Sequence, residues 1–322
     1  VGEPAVQKPF IKECDRAEDA SMANSEHLAQ LDYGVAQWNE WRRRSPQLLP
    51  DLSYAKLSGK QFEGINLKGA NLSSATLYNT NLNGACCDGA TFNDANLTRA
   101  SLVNATLKQA TFINAILSAA RLNGANLCKT VFIGADLRVA SLRRADLSDA
   151  DLSATDLRGA NLRDADLDAA DLSRANLSEA MLIAANFSRA TLTRANLDRA
   201  ECGQSTFYRA NLHAASLTDA WFIGTYLYGA DLSQTTLSGA DFSWSNLSRV
   251  NLANATAHQT NLRGVNLSRA NLSDANFTQA NLRGANLSEA MLEGAILSEA
   301  DLSDVKRDRA QFNGAIVSDD RV

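Results

Sequence analysis

The chain has 322 residues, 45% of them apolar, with 31 basic and 36 acidic side chains and a net charge of −5. That is enough apolar material for a substantial core and gives a mixed rather than polyionic exterior, which argues against direct binding to nucleic acid. No apolar run approaches the length that crosses a bilayer, and the opening residues hold no signal-peptide block, so a cytoplasmic location is the expectation.

Residues 1–23 show no periodicity and contain Pro4 and Pro9, which predicts a disordered or extended N-terminal extension, with Met22 placed like a natural start. Residues 24–50 read as a capping helix and linker. Leu28, Leu31, Val35, Trp38 and Trp41 recur at spacings of three and four and form one stripe of a single helix from Ser25 to Arg44. Asn24 or Ser25 can cap its start, Arg42, Arg43 and Arg44 suit the negative end of its dipole, and Pro46 stops it. The two tryptophans are expected to pack as a lid over the segment that begins at residue 51.

From residue 51 to 317 the sequence repeats every five residues without insertion or deletion. Taking Leu52 as the first centre gives 54 units, and 49 of the centres are Leu or Phe; the exceptions are Cys87, Cys202, Ala257, Arg307 and Val317. Two positions before the centre stands Ala in 40 units and Ser, Thr or Val in 11 more, so each unit offers one small and one large inward side chain. This period fits neither an amphipathic helix nor an alternating strand. All four prolines lie outside the repeats, as expected where backbone N–H groups bond a neighbouring coil. Of 18 glycines, 15 occupy the last slot of a unit, which predicts a tight corner of positive φ.

GANLSSATLYNTNLNGA and ADLSATDLRGANLRDADLDAADLSRANL match the A(D/N)LXX unit, so the chain resembles the pentapeptide-repeat family over about five-sixths of its length. The resemblance implies an all-β solenoid: a right-handed quadrilateral parallel β-helix with four units per coil. Residues 20 apart then stack, about 13.5 coils make a rod of roughly 65 Å, and Phe92–Phe112–Phe132, Phe222–Phe242 and Phe187–Phe207 form ladders. Near the end, Arg307 in an inward slot should loosen or terminate the last coil before a tail over 318–322, leaving an end that can fray or self-associate.

Chemistry is sparse. Cys14, Cys86, Cys87, Cys128 and Cys202 form no ligand spacing, His213 and His258 fall on different faces, and phosphate-loop motifs are absent; no cofactor, metal or catalytic residue is expected. The outer slots are more informative. One face carries Asp51, Asp94, Asp151, Asp171, Asp231, Asp274 and Glu293 against Arg174 and Arg194. Another carries Arg189, Arg209, Arg249 and Arg269 at one slot, with Gly229 in the gap and Tyr208, Tyr226 and Tyr228 beside them. Trp221 and Trp244 fall near the shared edge. Outward aromatics flanked by arginine have the composition of an interface core. The reading is therefore a non-enzymatic scaffold or adaptor for an unidentified protein partner. The resemblance also implies an alternative, a DNA mimic that binds gyrase or topoisomerase. Stacked Asp136–Asp156, Asp146–Asp166 and Asp151–Asp171 favour it, while Arg138, Arg143, Arg144, Arg158 and Arg163 oppose it.

Overall fold

The computed structural model describes residues 23–317; the expected extension before Ala23 and the tail over 318–322 lie outside the described residues. The residue before each centre forms a parallel bridge with the residue twenty positions on, from Asp51↔Asn71 to Met291↔Gln311. Four five-residue units therefore close one lap, and the laps stack.

Strands of ordinary length are absent among the described residues. Only β1 (Ile296–Leu297) and β2 (Ile316–Val317) exceed a single bridging residue, and they pair in parallel. The unit itself explains this. The Leu52 carbonyl accepts from the Ala55 amide at 3.1 Å, a turn that recurs in every unit and leaves one residue to bridge. The turn also needs a left-handed residue. At every fifth position from Tyr54 to Gly314 φ is positive, and most of these corners are not glycine; even β-branched Val139 sits at φ 57°.

The consensus Asp or Asn has a local task. Asp51 Oδ1 accepts from the Ser53 amide at 3.1 Å, Asp151 from Ser153 at 2.9 Å and Asp231 from Ser233 at 3.0 Å, closing the corner through the side chain. Inside, every centre from Leu52 to Leu297 is buried. Phenylalanines stack at 4.7–4.9 Å in the ladders Phe92–Phe112–Phe132, Phe187–Phe207 and Phe222–Phe242. Inward threonines do more than fill space: Thr80, Thr130 and Thr155 each donate at 2.9 Å to a centre carbonyl one lap earlier, at Leu57, Leu107 and Phe132.

The stripe from Ser25 to Arg44 is two helices rather than one: α1 (Ser25–Asp32), capped by Asn24, and α2 (Val35–Arg44). Gly34 at φ 92° breaks them, its amide bonded to the Leu31 carbonyl at 3.0 Å. Leu31 and Trp38 are buried, while Leu28, Val35 and Trp41 pack at the margin of the core. Arg42 also departs from expectation. Instead of facing water at the helix end it is 5% exposed and donates to the carbonyls of Leu48 and Lys68.

These contacts replace a missing lap. Elsewhere, carbonyls equivalent to Asn66 and Lys68 accept from the lap before; here Trp38 Nε1 supplies Asn66 at 2.7 Å and Arg42 supplies Lys68. Asn39 Oδ1 accepts from the Asn66 amide at 2.8 Å, and His27 Nδ1 from the Asp51 amide at 3.0 Å. At the other end Arg307 points into solvent, yet it does not terminate the coil. Lys306 and Ile316 still bond the preceding lap at 2.9 Å, and Gly314 keeps its corner conformation. The ladder geometry is set by the backbone, so one outward-turned centre is absorbed.

Candidate functional site

Four exposed large apolar side chains fall within 24 residues at one corner of the rod: Trp221 (58% exposed), Ile223, Tyr226 and Trp244 (66%). Trp221 and Ile223 flank the centre Phe222, the chain turns at Gly224, and Tyr226 and Tyr228 flank the centre Leu227. One lap later Trp244 occupies the same corner column as Gly224, with Gly264 beyond it. A Cβ on Gly264 would meet the Trp244 ring at 2.6 Å, so the absence of a side chain there lets the indole lie along the corner.

Tyr208, Tyr226 and Tyr228 form a mutually stacked group with centroids 6.0–6.3 Å apart and planes within 18°. Tyr208 and Tyr228 are consequently half-buried, and Tyr226 carries more of the exposed ring surface. Beneath them the core is aromatic as well. Phe207 tilts against Phe222 at 5.4 Å, joining two ladders under the corner. Inward Thr225 and Ser245 both donate to the Phe222 carbonyl, at 2.7 and 2.5 Å, which fixes the backbone that carries Trp221 and Ile223.

The four arginines of the neighbouring column divide into two kinds. Arg189 is bonded to Asp168, with Nε 2.9 Å from Oδ1, and Arg269 to Glu289 at 2.9 and 3.2 Å. Hydrogen bonding holds the Arg269 guanidinium above its ordinary pKa and the Glu289 carboxyl below its own. Arg209 and Arg249 instead lie over Tyr208 and Tyr228, at 5.2 and 5.8 Å from the ring centroids. A shallow groove of about 310 Å³ runs beside Arg249 and Arg269, from Tyr228 past Ser248, Ser268 and Ser288 to Glu289.

Sequence reasoning missed two members of this corner. Ile223 shares the lap with Trp221 and Tyr226 and was readable from its outer slot. Arg263, 5.9 Å above the Trp244 ring, was not, because the contact crosses from one column to the next.

The mid-rod wall is different. Arg138 makes a bidentate pair with Asp136 at 2.9 and 2.7 Å, and Arg158 with Asp156 at 2.9 and 2.7 Å; Ser118 also donates to Asp136 at 2.9 Å. Hydrogen bonding to Arg138 holds the Asp136 carboxyl below its usual range. Arg144 pairs with Asp164 and Arg163 with Glu201. Of the acidic face, Asp51, Asp151, Asp171 and Asp231 are spent on backbone amides two residues on.

Among the described residues no group of three or more His, Cys, Asp or Glu is placed to hold a metal ion, and no helix is long and apolar enough to cross a membrane. Cys87 and Cys202 are buried centres whose thiols burial pushes well above the ordinary pKa; Cys86 and Cys128 are partly exposed. His213 bonds Ser233 at 2.9 Å on a face away from the aromatic corner.

Comparison with known proteins agrees with the repeat. The family model for pentapeptide repeats matches successive segments from residue 51 to residue 319. No curated protein matches the chain. Among solved structures it is similar to the pentapeptide-repeat protein Rfr23 from the cyanobacterium Cyanothece 51142, at 38% identity over 29% of this chain and 63% of that one (TM-score 0.28). It is also similar to HetL, involved in heterocyst differentiation regulation in the cyanobacterium Nostoc sp. strain PCC 7120, at 31% identity over 78% of this chain and 91% of that one (TM-score 0.28). A third is QnrB1, a plasmid-mediated fluoroquinolone resistance protein, at 19% identity over 50% of this chain and 85% of that one (TM-score 0.40). The chain thus spans less than two thirds of Rfr23 but most of HetL. With its five-residue period matched from end to end of the coil, the chain belongs to the pentapeptide-repeat family.

Proposed function

We propose that this protein is a non-enzymatic scaffold that binds a protein partner through the aromatic corner, on a right-handed, four-sided β-helix of the kind its family implies. The observation that carries the proposal is the clustering of Trp221, Ile223, Tyr226 and Trp244 in two adjacent laps, exposed to solvent over a rigid aromatic core. A solitary exposed apolar residue on a rod is ordinary; a contiguous group rimmed by arginine is the make-up of an interface hot spot. Rings held by mutual stacking lose little freedom on binding, which favours association.

The gyrase-mimic alternative finds less support. A phosphate mimic needs free carboxylates about 1.7 Å apart along the axis, whereas Asp136 and Asp156 are engaged by Arg138 and Arg158. Affinity capture from the native source separates the readings: proteins retained by the wild type are expected to be lost with Trp221→Ala/Tyr228→Ala and kept with Arg138→Gln/Arg158→Gln. Retention of every partner by the first variant overturns the corner as the binding surface. Purified gyrase is expected to supercoil DNA unimpeded in the presence of the protein.

A further inference from the structure

We infer that the corner admits a partner carboxylate between Arg209 and Arg249, over Gly229, so that the partner segment is acidic with aromatic or aliphatic neighbours. This deepens the protein-binding reading and rests on it. The four arginines of the column would be equivalent by sequence, yet the structure separates them. Arg189 and Arg269 already hold Asp168 and Glu289. Among the described residues Arg209 and Arg249 have no carboxylate partner; each rests on a tyrosine face, which leaves its charge and its N–H edge available to an incoming acid.

Gly229 stands between them in the column, and the only neighbour a Cβ there would meet is Arg209 Cγ at 3.6 Å. Any side chain at this corner would fill the space that the two arginines border. With laps about 4.8 Å apart, their Cα atoms stand roughly 10 Å from one another, within reach of two flexible side chains closing on one carboxylate. The groove that opens at Tyr228 and Arg249 has direction. At its far end Glu289 is already paired with Arg269, so Arg249 is the lining cation with no acid bonded to it. An acidic side chain is therefore steered to the Gly229 gap, while its apolar neighbours cover Trp221, Ile223 and Trp244.

The test is selection of a phage-displayed random peptide library on the immobilised full chain, followed by calorimetric titration of synthetic copies of the selected peptides. Peptides enriched in Asp or Glu next to aromatic or aliphatic residues are expected. Arg209→Gln/Arg249→Gln should weaken them at least tenfold, and Arg189→Gln/Arg269→Gln less than threefold. Peptides that are lost with Trp221→Ala/Tyr228→Ala but show no acidic enrichment, or bind Arg209→Gln/Arg249→Gln unchanged, overturn this inference and leave the protein-binding corner standing. If no selected peptide depends on Trp221 and Tyr228, both readings fall.

Discussion

The wall around Asp136–Arg163 and the corner around Trp221–Arg269 are built on the same backbone and decorated in opposite ways. Both have bridges twenty residues apart, left-handed corners and fully buried centres. In the first, Arg138 and Arg158 each grip the carboxylate two residues before them and Arg144 and Arg163 reach acids in later laps; in the second, Arg209 and Arg249 rest on rings and large apolar side chains face water. The difference between the two regions is therefore a property of outer slots alone. The coil supplies fixed positions, and what stands in them decides whether a stretch presents paired charges or exposed rings.

If that separation of inside from outside holds, core truncations should cost the same in both regions. Phe132→Ala and Phe207→Ala each remove one ring from a stacked ladder, and each should cost about 3–5 kcal/mol, read as matching drops in thermal midpoint. A clearly milder effect at Phe207 would mean that the corner is not as tightly packed beneath its aromatic surface as the wall.

A paired glycine substitution sharpens the contrast at a smaller scale. Gly159 and Gly264 have nearly the same φ, 63° and 65°, but a Cβ at Gly159 meets only Val139 at 3.9 Å while one at Gly264 strikes the Trp244 ring. Gly159→Ala should cost about 1 kcal/mol from the left-handed backbone alone. Gly264→Ala should cost more and shift the tryptophan fluorescence, since the indole must leave the corner. Equal costs with unchanged emission would show that Trp244 does not depend on the gap beside it.

The outer slots also hold strain that can be relieved. Val139 is a β-branched residue, 68% exposed, at φ 57°. Val139→Gly should stabilise the mid-rod by about 1 kcal/mol, measured by denaturant midpoint, because glycine takes this conformation without a Cβ clash. The smallest effect is electrostatic. Asp136 titrates below its reference value of 3.8, chiefly through its hydrogen bond to Arg138. Its contribution is thus fully present above that pH and is lost as pH falls through the lower folded value, and solvent screening keeps it under about 1 kcal/mol. Asp136→Asn should flatten the stability profile below about pH 4 and leave the aromatic corner untouched.

Much of this was legible from the residues in order. The five-residue period and the corner slots follow from strict register, because every unit repeats one local solution; the coil of four units, and with it the phenylalanine ladders, came from the resemblance to the family. The N-terminal cap did not yield in the same way. Leu31 and Trp38 could be read from their spacing, but the break at Gly34 and the turning inward of Arg42 depend on docking against carbonyls 26 and 28 residues away. The pairing of Arg189 and Arg269 but not Arg209 and Arg249 was hidden for a related reason: the acids responsible lie in laps before and after, at slots that carry acid only sometimes.

The way α1 and α2 meet the first lap bears on the behaviour of many copies together. A coil whose first lap offers bare amides and carbonyls is a template on which another coil can add, and repeated addition gives a fibre whose length depends on concentration. Trp38, Asn39, Arg42 and His27 occupy four of those groups with side chains, which do not themselves offer a coil edge that continues the pattern. Head-to-tail growth is thereby blocked along this part of the edge.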